Sequence, residues 1–167
     1  MNVSLKESDD KIIDKLNDVV KRFRSDKVLV GIPQDENSRH DENHDQEINN
    51  ASLLAINHFG SPAQNIPARP VMSIGIKKAQ EQIAEQFKIC AQKVWTEGFE
   101  ALDKYYERAG IIASNSVKKV INSQNGIKPP SQATLASRKS AKFPGKKALI
   151  VTGQMRNAIT YVVKKGL

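Results

Sequence analysis

The sequence predicts an α+β fold in which a small antiparallel sheet is packed by an N-terminal helix and one long central helix, with extended loops. Three observations lead to this prediction. Apolar residues recur every three to four positions over residues 9–24 and again over residues 72–108. Two β-rich runs, KVLVGIP at residues 27–33 and AITYVV at residues 158–163, lie towards opposite ends of the chain. Proline- and glycine-rich stretches separate these segments and predict loops.

The N-terminal part of the chain is expected to hold a helix, a strand and a second helix. The first helix, over residues 9–24, is amphipathic, and the strand that follows places its valines on one face with Ile32. The run ASLLAINHF, residues 51–59, predicts a short helix that Gly60 ends. The next ten residues, SPAQNIPARP, contain three prolines and therefore predict a rigid connector.

The central helix is the strongest structural prediction. Its apolar pattern runs from residue 72 to residue 108 and is interrupted only at Gly98, where we expect either a kink or extra length that packs on a neighbouring subunit. Gly110 is expected to break the helix, and a further helix follows to about residue 122. Near the C-terminus, PSQATLASRK predicts a short helix, and Thr152 is placed to cap another before the last strand.

The chain is short enough to form one domain over residues 1–167, because cores usually divide only well above about 200 residues. Two segments are expected to lie outside the core. The stretch QDENSRHDENHDQE, residues 34–47, has no apolar residue and predicts an acidic flexible loop. Residues 123–147 predict a basic loop, with five basic residues between positions 138 and 147.

The charge is unevenly distributed along the chain. The net charge is +8, yet residues 1–50 hold 8 basic and 12 acidic residues, a net of −4. Residues 108–167 hold 12 basic residues and no acidic one, a net of +12. Such a one-sided region repels itself, so we expect it to face phosphate, an acidic partner surface or solvent.

Nothing in the sequence points to catalysis, and we expect a protein that is not an enzyme and has no cofactor. Phosphate-binding glycine loops, nucleophile-elbow patterns and histidine-glutamate zinc motifs are missing from the sequence. The one cysteine, Cys90, lies on the apolar stripe of the central helix and predicts a buried, inert thiol. The absence of cysteine pairs suits a reducing cytoplasm, and no signal peptide or membrane span is predicted.

One segment of the acidic loop could be interpreted as a metal site. Histidine and aspartate alternate there at His40, Asp41, His44 and Asp45, and such residues four apart meet on a helix face. No helix former flanks them and no third set of ligands accompanies them. We therefore favour a mobile loop and expect no metal.

Two motifs carry the functional information, and together they cover most of residues 50–163. The first is LLAINHFGSPAQNIPARPVM, residues 53–72; the second is PPSQATLASRK followed by ALIVTGQMRNAITYVV. Their order, with a long helical region between them, resembles phage tail-completion and virion-morphogenesis proteins. This chain departs from the family pattern at His58, where the family usually has an acid, and at Val71, where it has an aromatic residue.

The resemblance implies a structural subunit of a tailed-phage neck. The resemblance implies that such subunits form a homo-oligomeric ring, a hexamer that matches the symmetry of the tail tube, and join the tail to the head connector. The implied location is the virion neck, after assembly in the cytoplasm of the bacterial host. Residues of the two motifs are then expected at partner interfaces, namely Phe59, Gly60, Pro67, Arg69, Pro70, Thr152 and Gly153.

Two interpretations remain open for the charged residues. In IPARP, Pro67 and Pro70 hold Arg69 on a stiff segment, which presents its guanidinium either to a partner or to its own chain. The basic loop is expected to line a DNA channel or to dock on an acidic partner through Arg138, Lys139, Lys142, Lys146 and Lys147. The alternative for the whole protein is a basic nucleic-acid-binding protein that acts alone.

Overall fold

The computed structural model describes residues 2–38, 48–141 and 145–166. In this part of the chain the elements are α1 (Asn2–Ser25), β1 (Lys27–Gly31), α2 (Asn50–Phe59), α3 (Val71–Glu97), α4 (Glu100–Ser123), α5 (Gln132–Ser140), α6 (Gln154–Ala158) and β2 (Thr160–Lys164). The mostly helical architecture with a small antiparallel sheet confirms the predicted α+β class.

The centre of the fold is a helical hairpin rather than one long helix. Helix α3 ends at Gly98, whose φ of 71° lies in the left-handed region, and the chain turns back into α4. Gly75 on α3 then meets Val117 on α4, where an added Cβ would lie 2.6 Å from the Val117 Cα. The chain thus reverses at Gly98, where a kink was one of the two predicted alternatives, and the prediction of one continuous helix over residues 72–108 was wrong, because the two apolar faces bury each other.

The predicted break at Gly110 was also wrong, since this glycine lies inside α4. A Cβ at Gly110 would lie 2.2 Å from the ring of Tyr161, so the residue makes room for a side chain of β2. Here glycine serves a close helix-to-strand approach and not a helix end.

The sheet consists of β1 and β2 paired antiparallel, from Lys27 opposite Lys164 to Gly31 opposite Thr160. One face packs on α4. On the other face Leu29 and Val162 are directly opposite each other and are 51% and 45% exposed. The sheet therefore presents an uncovered apolar pair to the outside.

Two core clusters occupy the two ends of the hairpin. The first lies near the Gly98 turn and includes Cys90, Val94 and Leu102, with Val19 from α1 packed on it. The second lies at the far end and includes Val71, Val117, Ile121 and Ile159. Full burial raises the pKa of the Cys90 thiol to about 11, which fits the predicted inert side chain.

An ion-pair network closes the end near the turn. The Arg22 guanidinium donates to Asp26 and to Asp103, each at 2.9 Å, and Lys165 donates to the other oxygen of Asp103 at 2.9 Å. The backbone N–H of Gly166 donates to Asp26 at 2.9 Å. The start of β1 and the end of β2 are thereby fastened to α4.

Among the described side chains of α1, those of its C-terminal half join this end. Val19 is buried and Phe23 packs against Tyr106, with ring centroids 6.2 Å apart. Every residue from 10 to 18 is exposed, including Ile12, Ile13 and Leu16 at 60%, 53% and 45%. The apolar stripe of α1 is therefore covered at one end and open along the preceding two turns.

Candidate partner-binding site

A cleft of about 720 Å³ brings the two sequence motifs together, although they are about sixty residues apart along the chain. One wall comes from α2 and the proline-rich connector, with Leu53, Ile66 and Pro67. The other comes from the start of α5 and from the residues that lead into α6, including Thr152 and Gly153. Its volume lies within the range of roughly 300–1,000 Å³ typical of ligand pockets.

Arg69 joins the two walls from inside the chain. Its Nε donates to the carbonyl oxygen of Lys128 at 2.8 Å, and its Nη2 donates to that of Pro129 at 3.2 Å. Its own backbone N–H donates to the carbonyl of Asn57 at 2.7 Å, which fastens the connector to α2. Arg69 is 8% exposed. These bonds support the alternative considered from the sequence, in which Arg69 stabilises its own chain, and its role at a partner interface stays a prediction.

Arg138 lies at the same cleft on α5 and is only partly exposed. Its Nη1 donates to the carbonyl oxygens of Gly145 at 3.0 Å and Lys147 at 2.7 Å, and it lies 3.5 Å from that of Ile150. The residue was predicted as one of five equivalent basic side chains. The structure separates it from the other described ones, because it organises the segment that follows α5.

Both guanidinium groups lack an acidic partner among the residues that the structure describes. No described carboxylate lies within ion-pair distance of either, and the cleft is lined by no aspartate or glutamate. Burial lowers the pKa of Arg69, and the nearby charge of Arg138 lowers it further. Burial likewise lowers the pKa of Arg138. Since arginine remains protonated, the cleft keeps two positive charges.

Two glycines set turns at or next to the cleft. Gly60 ends α2 with a φ of 79°, and a Cβ there would lie 2.8 Å from the backbone nitrogen of Ala68. Gly153 has a φ of 86° at the start of α6, where the hydroxyl of Thr152 accepts from the N–H of Gln154 at 3.4 Å. Both turns need a positive φ, which glycine adopts without strain; Gly153 lines the cleft, whereas Gly60 lies outside the lining and sets the turn from α2 into the connector.

The remaining predicted interface residues lie outside the cleft lining. Phe59 is 78% exposed, and its ring contacts that of His58 with centroids 4.8 Å apart. Pro70 precedes α3, and its carbonyl accepts from the N–H of Ile74 at 3.0 Å. The exposed Phe59 leaves a large apolar side chain at the C-terminal end of α2.

The basic residues near α5 are spread over the surface. Lys139 and Lys146 are exposed, and Lys147 is exposed while its Nζ donates to the carbonyl of Asn122 at 2.8 Å. Lys142 lies outside the described residues. Of the described members of this predicted set, the structure therefore brings only Arg138 into the cleft.

The prediction about a metal in the acidic segment falls on residues 40–45, which lie outside the described residues. Within residues 2–38, 48–141 and 145–166 no group of three or more histidine, cysteine or acidic side chains is arranged for a metal ion. In the same ranges no helix combines the length and apolar character needed to cross a bilayer.

Sequence reasoning missed the residues that receive and support Arg69. The backbone carbonyl of Asn57 accepts from the N–H of Arg69, and its side-chain oxygen accepts from the guanidinium group. The carbonyl oxygens of Lys128 and Pro129 accept from the same guanidinium group. A signal for the carbonyls was present in the consecutive prolines 129 and 130, which cannot continue a helix and so leave preceding carbonyls unpaired. Nothing in the sequence indicated that these carbonyls face Arg69.

Comparisons of the chain with protein-family models, with curated proteins and with solved structures gave no match. The resemblance to phage tail-completion proteins therefore stays a prediction from the two motifs.

Proposed function

We propose that this protein is a structural subunit of a tailed-phage neck, which assembles as a homo-oligomeric ring, completes the tail and joins it to the head connector. The observation that carries the proposal is the uncovered apolar stripe of α1. A helix that exposes three large aliphatic side chains over two turns is unfavourable in water unless another surface covers it. A neighbouring subunit would cover it in a closed ring.

Further support comes from the outer face of the sheet and from the cleft. Leu29 and Val162 form a second uncovered apolar site on the described part of the chain. The two motifs that carry the family resemblance converge on one cleft instead of serving separate parts of the fold. Sequence features that meet at a concave surface are what a subunit with defined partners requires.

The test of ring assembly is the double substitution Ile13→Asp with Leu16→Asp. Both side chains lie on the open part of the stripe, so the fold and thermal midpoint of the subunit should be unchanged. The mass measured by light scattering after size exclusion should fall from that of the ring to that of the monomer. Lys11→Asp is the matched control, because it changes the net charge by the same amount on the polar face of α1.

The same variants test the role in the particle. In a phage or prophage that encodes this chain, the double variant should yield filled heads and tails that remain unjoined in electron micrographs, while Lys11→Asp yields normal particles. A wild-type protein that is monomeric at all concentrations and shifts duplex DNA with a steep salt dependence would overturn the proposal. That result would favour the alternative of a basic protein acting alone on nucleic acid.

A further inference from the structure

The described partners of Arg138 use only one side of its guanidinium group. All three of its described contacts are made through Nη1. No residue that the structure describes accepts a hydrogen bond from its Nε or Nη2. These two atoms form the edge that binds a carboxylate through two parallel hydrogen bonds, a geometry that a lysine cannot reproduce.

The positive charge around this edge has no acidic counterpart among the residues that the structure describes. Arg69 adds a second positive charge to the cleft, and its pKa is lowered in part by Arg138, so the two groups repel each other. No acidic residue follows Glu107 in the whole sequence, so the C-terminal segments that build this wall cannot supply a carboxylate. A bound anion would relieve this repulsion.

The walls favour a peptide over a nucleic-acid backbone. Apolar side chains of Leu53, Ile66 and Val151 line the cleft together with the hydroxyl groups of Ser131 and Thr134. The cleft is lined by two arginines and no lysine, whereas affinity for a DNA duplex comes from many phosphate contacts made by lysine and arginine. An extended peptide whose side chains alternate between apolar and acidic would place the apolar ones against the apolar lining residues and the acidic ones against the polar lining residues.

From this combination we propose that the cleft binds an acidic segment of a partner protein, with the free edge of Arg138 receiving a side-chain carboxylate. The inference rests on the proposed function in one respect, because a neck subunit requires a second protein to supply the segment. Arg69 acts through its charge and by holding the two walls together, since its own N–H groups are already used inside the chain.

The test uses the purified full chain and a labelled peptide that alternates leucine and glutamate, with a control peptide in which glutamine replaces glutamate. Fluorescence anisotropy should show binding of the glutamate peptide about tenfold tighter than that of the glutamine peptide. Arg138→Gln should abolish this preference, and Arg138→Lys should retain only part of it. Lys139→Gln is the matched control, because it removes one charge from the exposed surface of the same helix.

A second measurement keeps the proposal testable if Arg138 variants fold poorly. In the wild-type protein, amide signals of Thr152, Gly153 and Thr134 should shift in nuclear magnetic resonance spectra when the glutamate peptide is added, while those of Leu29 and Gly31 should not. Equal affinity for both peptides, or shifts confined to other surfaces, would overturn the proposal. Displacement of the peptide by a short DNA duplex at low concentration would reassign the cleft to phosphate and overturn it as well.

The two proposals fail independently. Peptide binding is measured on the purified chain whatever its oligomeric state, whereas ring formation is measured on α1 variants that leave the cleft unchanged. Peptide binding that appears only after residues 35–47 are replaced by glycine and serine would assign the cleft to the chain's own acidic segment and contradict a partner protein as its occupant.

Discussion

The two ends of the helical hairpin use arginine in opposite ways. At the closed end, near the Gly98 turn, Arg22 donates to the carboxylates of Asp26 and Asp103. At the cleft end, Arg69 and Arg138 donate mainly to neutral backbone carbonyls. The two ends differ in the net charge that remains once these hydrogen bonds are formed. At the closed end the carboxylates of Asp26 and Asp103 balance the charge, whereas at the cleft end no described carboxylate balances the two arginines.

The direction of the pKa shifts follows the same division. Burial lowers the pKa of Arg22, but the hydrogen bonds that it donates to Asp103 and Asp26 outweigh this effect and raise the value overall. Burial lowers the pKa of Arg69 and Arg138, and no acidic neighbour among the described residues compensates. The direction of the pKa shift therefore follows the hydrogen-bond acceptors. Arg22 donates to carboxylates, which raise its pKa, whereas Arg69 and Arg138 donate to neutral carbonyls, which do not offset the effect of burial.

The largest effect is expected at the closed end from Arg22→Met. The Asp26 side chain is only 2% exposed, and losing the guanidinium leaves a buried carboxylate with two weaker donors. The free energy of unfolding, measured with urea, should fall by roughly 3 kcal/mol. Lys165→Met, which removes an exposed partner of Asp103, should cost less than about 1 kcal/mol. Equal losses for the two variants would show that Arg22 is not the centre of this network.

A smaller effect is expected at the cleft end from Arg69→Lys. One ammonium group cannot reach both carbonyl oxygens that accept from Arg69. Because these neutral carbonyls can form hydrogen bonds with water instead, we expect the free energy of unfolding to fall by about 2 kcal/mol. Urea unfolding measures this loss, and Arg156→Lys is a control that should stay within about 0.5 kcal/mol. If Arg69→Lys is as stable as the wild type, the guanidinium does not hold the cleft walls together.

The smallest effect concerns acid stability. Burial raises the pKa of Asp103, but hydrogen bonds from Lys165 and Arg22 outweigh it and hold the value below the ordinary 3.8. A lowered native pKa adds stability above the unfolded value, and this contribution is lost as the pH falls from about 3.8 through the native value. Unfolding free energies between about pH 5 and pH 2.5 should therefore decline less steeply in Asp103→Asn. An unchanged slope would mean that the closed end gains nothing from this ion pair.

Much of the local structure could be predicted from the sequence because it depends on neighbouring residues. Helix α2 ends just before the predicted Gly60, and α5 begins just after Ser131, whose side chain caps it by accepting from the N–H of Thr134. Strand β1 lies within the predicted run of residues 27–33, whereas β2 begins at Thr160, two residues after the start of the predicted run 158–163, because Ala158 belongs to α6. The first helix was predicted from residue 9 but begins at Asn2, because helical periodicity does not mark the first residue of a helix.

The hairpin and the cleft were decided only by tertiary structure. A 3.6-residue pattern is the same whether a glycine continues a helix or reverses it, and at Gly98 the burial of α3 against α4 selects reversal. The sequence determined that the last sixty residues carry positive charge without acids. It could not determine that Arg69 and Arg138 share one cleft, because that proximity arises from packing between segments that are distant along the chain.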